Sequence, residues 1–578
     1  MIRRLKALLC ILPCLSALSA QPLPPAYEYQ GDHYVIHVDA LKPDKDMTLM
    51  DVLQACPELM SDNAKRITDY YELYIDDVPV MLDDEVALEA LKASELSEIH
   101  IYTSTSIVAG GNGDSHIINL QFKPLENGST AGKLMLEGST FGCGKAYTDI
   151  NTRYKNLTIQ GYALCNLEYG RDAASNGLSN TFRQGIENLH LNLDWDISKN
   201  DNLKIKLLQA FWDHKLRLNP EDGDAMQVAQ IQRYWEATAI YDHTLNQRGA
   251  NLHFEGGVDR EYLTIEDMET QNTCAYFVSE ASTPCLNDHL NLMAGWEIDY
   301  YNWWKVNVDR QHTMFNDLYL QVDYSNGPWL VSFGDRFRVV NYWHHVFDDY
   351  DGSRWSNSRT ENSYVGSVGY KSGRHQLQAM FNSDYYVPLI SYFFSYQDED
   401  ATQRINMRDY YTSMVYRTEL RYAYQWGNLM LNGSALHSWT RHSAISEKRT
   451  GIRASMTWRK GVLRLTAGAD YFHTRIDTEG QVSFDNTFHL RLLPTLLLPG
   501  GLRVSSRLLY NSRVTLPFES SPHLFASIKV SKDLGRHITL SADLHDLAGP
   551  SPYNAFSEST NYANRALSLG FTYRFGRH

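Results

Sequence analysis

The sequence predicts a mostly-β chain, a transmembrane antiparallel β-barrel of about 22 strands preceded by a small N-terminal α/β domain that plugs it. Three observations carry this expectation: the alternation of the final strand, its recurrence through residues 131–578, and the succession of short turns and long loops. From Ala566 to Phe575, Leu567, Leu569, Phe571, Tyr573 and Phe575 fall on one face, with Ser568, Gly570, Thr572 and Arg574 on the other. A spanning strand of about 9–11 residues needs this period of two, because one face meets lipid and the other a wet lumen. The edge of a soluble β-sandwich can end with the same alternation, so the weight rests on repetition.

The pattern recurs. Leu189, Leu191, Leu193, Trp195 and Ile197 alternate with His190, Asn192, Asp194 and Asp196. Tyr416, Thr418, Leu420, Tyr422 and Tyr424 interleave with Arg417, Glu419 and Arg421, and Ile452, Ala454, Met456 and Trp458 with Arg453, Ser455, Thr457 and Arg459. Charges deep in long strands suit a hydrated lumen. Tight connectors fall at Lys155-Asn156, Ser198 to Asp201, Ser325 to Gly327, Ser372-Gly373, Trp426-Gly427, Arg459 to Gly461, Pro499 to Gly501 and Asp533 to Gly535. Longer segments lie between them: Asn219 to Ala225, Glu266 to Asp288, Asn341 to Arg359, Pro388 to Arg408 and Ala548 to Asn564. Such alternation distinguishes the periplasmic side of a barrel from the extracellular side. Asp299 to Thr313 is where the strand count is least defined by the sequence.

Residues 1–20 read as a cleaved secretory signal, with Arg3, Arg4 and Lys6 before an apolar run and Ser19-Ala20 before Gln21. Removing that segment leaves 50 Lys+Arg against 68 Asp+Glu, an acidic balance that argues against nucleic acid as a partner. The 12 Trp, 37 Tyr and 21 Phe suit interfacial aromatic girdles facing outer-membrane lipid. Five cysteines follow residue 20, an odd number with no zinc spacing. Cys274 and Cys285 lie close in sequence within an expected loop and are either bridged or two unrelated thiols.

Residues 21–130 have a different texture. Met47 to Met60 reads as a short helix stopped near Pro57, Tyr71 to Val80 as strand, turn and strand, Glu85 to Leu96 as an amphipathic helix, and Glu98 to Thr103 as a strand. Val108 to Phe122 reads as a glycine loop running into another strand. This order resembles the plug of TonB-dependent receptors, in which a leucine-rich helix ends in proline, an I-D-G-x-P turn follows, then I-x-x-I-x-I, then a glycine loop before I-N-I. The counterparts are Leu53 to Pro57, Ile75 to Pro79, Leu96 to Ile101, and Gly110 to Leu120 with Ile118, Asn119 and Leu120; Glu58 and Asp77 depart from the family's glycines. The resemblance spans Tyr34 to Phe122 and, more loosely, the barrel that follows.

What the resemblance implies is active uptake, with a ligand held by external loops and the plug apex while a TonB-type periplasmic energising protein pulls on the N-terminal segment. The terminal strand with its near-final Phe575 would then be read by the barrel-insertion machinery. Tyr34 to Val38 is either a strand offered to a partner's sheet or simply the first plug strand; no secure energy-coupling motif stands out. Ligand contacts are expected from the apex (Gly110, Gly111, Asn112, Gly113) and from Tyr342, Trp343, Phe347, Tyr350 and Trp355, unless these aromatics form the girdle or pack loops. His344 and His345 with Asp348, Asp349 and Asp351, and the run Asp398 to Asp400, read as solvated loops rather than metal sites. No catalytic constellation or cofactor motif is present, so an enzyme is not expected. Two function classes stand: a plugged receptor importing a metal chelate, vitamin, peptide or glycan, and a non-transporting outer-membrane barrel with an adhesion or assembly role.

Overall fold

The computed structural model describes residues 26–30, 33–41, 47–53, 56, 71–76, 78–80, 88, 91–102, 116–140, 142–173, 179–218, 226–266, 268–286, 289–306, 309–346, 354–386, 413–441, 445–478, 481–512, 523–544, 547 and 567–576. From Thr130 onward these residues form 22 antiparallel strands, each paired with its neighbour in sequence. The last strand, Leu567–Phe575, closes the ring on the first, Thr130–Ser139, in a register running from Ser568 opposite Ser139 to Phe575 opposite Gly132. At Gly132 any side chain would collide with the Asp149 carbonyl and the Phe575 ring, so a glycine lets the near-terminal aromatic lie across the closing seam.

Burial along the strands is inverted relative to a soluble protein. Lys206 is 1% exposed while the adjacent Leu207 is 46% exposed, and Ser568 is 5% exposed beside Leu569 at 61%. Apolar side chains on the outside and charged ones inside make sense only if the outer solvent is lipid and the lumen is polar. The longest apolar run, Leu492 to Leu498, lies in the strand Gln481–Leu498, where the ladder to the next strand omits Leu493 and Pro494. Proline has no N–H to donate there.

All the tight connectors read from the sequence lie at one rim, and the chain leaves that rim only to return from the other. Gly327, Gly373, Gly427 and Gly461 occupy two-residue turns at this short-turn rim with φ of 56–58°, a left-handed conformation that glycine adopts without strain. One expectation is corrected, and the stretch that the sequence left least defined is resolved. Glu266 to Asp288 is not a long loop: its core is the strand Met268–Cys285, so Cys274 and Cys285 share one strand. Asp299 to Thr313 resolves into the end of one strand, Leu290–Lys305, and the start of the next, Asp309–Asn326.

The N-terminal part forms a six-stranded sheet from β1 (Tyr27–Gln30), β2 (His33–His37), β3 (Tyr71–Ile75), β4 (Val78–Val80), β5 (Leu96–Tyr102) and β6 (His116–Phe122). Their order is β1-β2-β5-β6-β3-β4, with only β3 and β6 parallel. Tyr34, Ile36, Leu73, Ile75, Ile99, Ile101, Ile118 and Leu120 bury one face against the short helix α1 (Leu49–Leu53), whose Leu49, Met50, Val52 and Leu53 are all buried. Thr48 and Asp51 cap that helix reciprocally: the Asp51 N–H donates to Thr48 Oγ1 at 3.2 Å, and Asp51 Oδ2 accepts from the Thr48 N–H at 2.9 Å. The expected helix over Met47 to Met60 is thus one short turn within the described residues, and the segment expected as helix over Glu85 to Leu96 ends in a 3-10 turn at Ala93–Glu95. Tyr34 to Val38 is not a free strand: β2 pairs with β1 on one side and β5 on the other.

Candidate functional site

The N-terminal sheet sits inside the barrel. It touches inward-facing side chains at points distributed around the ring: Lys133 meets Glu95, Gln160 and Lys204 meet Asp76, Lys371 meets Glu28, and Arg464 and Arg503 meet Asp51. Only a body within the lumen can reach so many strands at once. The four barrel residues Met135, Tyr147, Tyr162 and Leu164 join the plug's own apolar core, so the plug and this part of the wall share a packed interior.

Asp76 illustrates how local sequence makes such a contact. It sits at φ 50° in the turn between β3 and β4, a left-handed position that Asp tolerates better than most residues. From there Oδ1 accepts from the Phe122 N–H at 2.9 Å, Oδ2 accepts from Gln160 Nε2 at 3.0 Å, and the carbonyl accepts from Lys204 Nζ at 2.9 Å. One turn residue thereby joins β6 to two strands of the wall.

The second anchor is Asp51 at α1. Its Oδ2 accepts from Arg503 Nη2 at 2.5 Å and lies 3.1 Å from Arg464 Nη2. Burial would raise this carboxyl, but the Arg503 and Arg464 guanidiniums outweigh it and hold the group well below the usual carboxylate range. A depressed folded pKa means the anchorage is fully present above the unfolded value, about 3.9, and is lost only as pH falls through the lower folded value. Asp51→Asn is expected to weaken docking by about 1.5–3 kcal/mol at neutral pH, the scale of a hydrogen bond to a charged group. Limited proteolysis of plug and barrel across a pH series checks this: wild-type protection should persist below pH 4, and protection equal in the two proteins at pH 7 would sink the assignment.

The lumen wall is a charged lattice. Asp317 accepts from Arg336 Nη1 at 2.6 Å and from Arg338 Nη2 at 2.7 Å, and Arg336 also reaches Glu297 at 2.7 Å. The two guanidiniums stand over Tyr319 and Phe315, at 4.8 and 5.1 Å from the ring centroids. Further round, Glu419 accepts from Arg417 and Arg421, each at 3.0 Å, and Lys206 donates to Glu236 at 2.8 Å. The alternation in the sequence places these residues inside; their pairing is invisible to it. Between α1 and the final strands a crevice of about 140 Å³ is lined by Asp51, Lys92, Arg503, Ser527, Ser541 and Arg574.

The residues expected to touch ligand are not brought together as one set. Gly110, Gly111, Asn112 and Gly113, Phe347 and Tyr350 lie outside the described residues, as do the signal segment and Asp398 to Asp400. Trp355 falls within the strand Arg354–Ser372. Tyr342 and Trp343 are consecutive in the strand Trp329–Val346 and point to opposite faces. Tyr342 packs on the lumen-side cluster of Phe315 and Val340, whereas Trp343 shares the outer face with Phe333 and Phe337 and is 42% exposed. Trp343 therefore stands on the outer face of the wall, near the long-loop end of its strand. His344 and His345 likewise alternate, with His344 buried.

The disulfide is corrected too. Cys274 and Cys285 are both free, and eleven residue steps along one extended strand separate them by about 36 Å, far beyond bridging reach. Alkylation of the denatured, unreduced mature chain should modify both thiols, and a protected pair at these positions would contradict the strand assignment.

A 22-stranded barrel closed around an N-terminal mixed sheet defines a plugged-barrel protein. No known family profile matches the chain, and no curated protein matches it in sequence. Among solved structures, the siderophore receptor PiuA from Acinetobacter baumannii superposes with a TM-score of 0.69 at 10% identity, covering 96% of this chain and 100% of its own. The FrpB iron transporter from Neisseria meningitidis gives 0.69 at 11% identity, with 95% and 100% covered. The closed form of the ferric-catecholate import receptor Fiu from E. coli K12 gives 0.68 at 10% identity, with 95% and 97% covered. The chain thus has the fold of the TonB-dependent receptors over about 95% of its length. The proteins sharing it here are receptors and transporters by name rather than enzymes.

Proposed function

We propose that this protein resides in the outer membrane and imports a scarce ligand through its plugged barrel, driven by a TonB-type periplasmic protein acting on the segment before β1. The carrying observation is the filled lumen: a barrel of this width is a pore only if the plug rearranges, and the plug is held by ion pairs, hydrogen bonds and one shared apolar patch, all of them non-covalent. A closed, reversible fastening suits gated uptake better than passive diffusion. Ligand contacts fall to the apex Gly110 to Ser115 and to the external loops, and Tyr342 faces the lumen. Among the chemical classes open to such a receptor, a metal chelate is the one the names of the similar structures favour.

The signal segment of residues 1–20 and insertion by the barrel-assembly machinery follow from the same reading. The test is uptake of an iron-55 catecholate chelate by cells carrying or lacking the gene, with and without the energising protein. Import that requires both supports the proposal. Growth and uptake unchanged by loss of the gene, across iron chelates, cobalamin and oligosaccharides, would overturn it.

A further inference from the structure

The plug's first strand is fastened to the barrel by side chains instead of by another strand. One side of β1 pairs with β2 and the other faces the wall. A sheet edge ordinarily presents unpaired N–H and C=O groups. Here one side chain takes them both: Gln376 Nε2 donates to the Tyr27 carbonyl, and Gln376 Oε1 accepts from the Tyr29 N–H at 3.2 Å. A primary amide used this way imitates a single peptide unit of a neighbouring strand, ending the sheet without extending it. Gln425 Oε1 accepts from the Ala26 N–H at 2.9 Å, and Lys371 Nζ donates to Glu28 Oε1 at 2.8 Å.

These three barrel residues stand on successive strands, within three residues of the turn glycines Gly373 and Gly427, and so at the short-turn rim. Gln376 is only 5% exposed, which shields its bonds from water in the docked state. Beside them lies a small cavity of about 40 Å³ lined by Tyr27, Gln376, Gln425 and Met430, space for about one water next to the amides. The interior strands have no comparable exit: β2, β5 and β6 are paired on both sides, and Ile36, Ile99, Ile101 and Leu120 are fully buried.

We propose that Gln376, Gln425 and Lys371 form a releasable latch on β1, making residues 26–30 the first part of the plug to detach when the preceding segment is drawn toward the short-turn rim. Load applied before Ala26 reaches the Gln425 bond first, then the Tyr27 and Glu28 contacts, then Tyr29, so the fastening opens one contact at a time. Opening exposes Ala26, Tyr27 and Tyr29, which pack in the plug core, but each latch bond can be exchanged for one to water and β1 is strand-paired on one side alone, so it costs less than unpacking the interior strands. The use of this latch in transport rests on the import function proposed above; its existence does not.

Hydrogen exchange by mass spectrometry on the full chain in lipid nanodiscs tests it. In the Gln376→Ala/Gln425→Ala variant, amides of residues 26–30 should exchange about tenfold faster, while those of 96–102 keep the wild-type rate. Gln376→Glu keeps the acceptor for Tyr29 but sets a second oxygen against the Tyr27 carbonyl, and it should accelerate exchange similarly. Unchanged exchange in β1, or equal acceleration across β1, β5 and β6, would overturn the latch. Loss of import with β1 exchange unchanged would likewise defeat it while leaving the import reading intact.

Discussion

Deleting residues 21–124 is expected to turn this protein into a large conducting channel in planar bilayers. Barrels of 16–18 strands already enclose an aqueous pore, and this one has 22. Among the described residues, the plug sheet and α1 fill the lumen and make the ion pairs that close it. The barrel itself should still form, because its 22-strand ring closes between Thr130–Ser139 and Leu567–Phe575 without using a plug strand. Heat-modifiable migration reports insertion and single-channel recording reports the pore. A deletion variant that inserts normally yet conducts no better than the full chain would show that the N-terminal sheet is not what seals the lumen.

The second large effect is expected at Asp317. Its side chain is fully buried and is the shared acceptor of Arg336 and Arg338. Asp317→Ala would take this shared acceptor from both guanidiniums, Arg336 keeping its ion pair with Glu297. Removing one member of a buried ion pair costs about 3–5 kcal/mol because the remaining charge stays desolvated. Urea unfolding in detergent should therefore show a clearly lower midpoint for Asp317→Ala, with much of the loss recovered when Arg338→Met is added to remove the stranded charge. An unchanged midpoint would mean that the lumen around this triad is wet enough to solvate both guanidiniums.

Much of the barrel is legible in the sequence because its code is local. Leu189 to Ile197 and Tyr416 to Trp426 declare their outer faces residue by residue, and the glycine turns at Gly327, Gly373, Gly427 and Gly461 mark one rim. The strand Met268–Cys285 escaped because its outer face is small and weakly apolar, with Thr273, Ala275, Ser279, Ala281 and Thr283 around a single Phe277. In the plug, β3, β4, β5 and β6 follow their motifs, whereas β1 has only four residues, and its extended form depends on β2 and on Gln376. For the candidate site, adjacency in sequence misled: Tyr342 and Trp343 look like one aromatic patch, yet the strand pleat sends one to the lumen and the other to the outer face.

What the sequence by itself determined is the fold class, the approximate number of strands and, for most of them, the outward face, since a period of two is written within most strands. What only the tertiary structure decided is which charges and amides meet. Asp51 finds Arg503 across a separation of 452 residues, Ala26 finds Gln425 across 399, and Asp317 finds Arg338 across a hairpin whose register places them side by side. The reason is physical: alternation is fixed by the pleat of a single strand, while partners are fixed by register, by ring closure and by the seating of the plug, each of which depends on the whole chain at once.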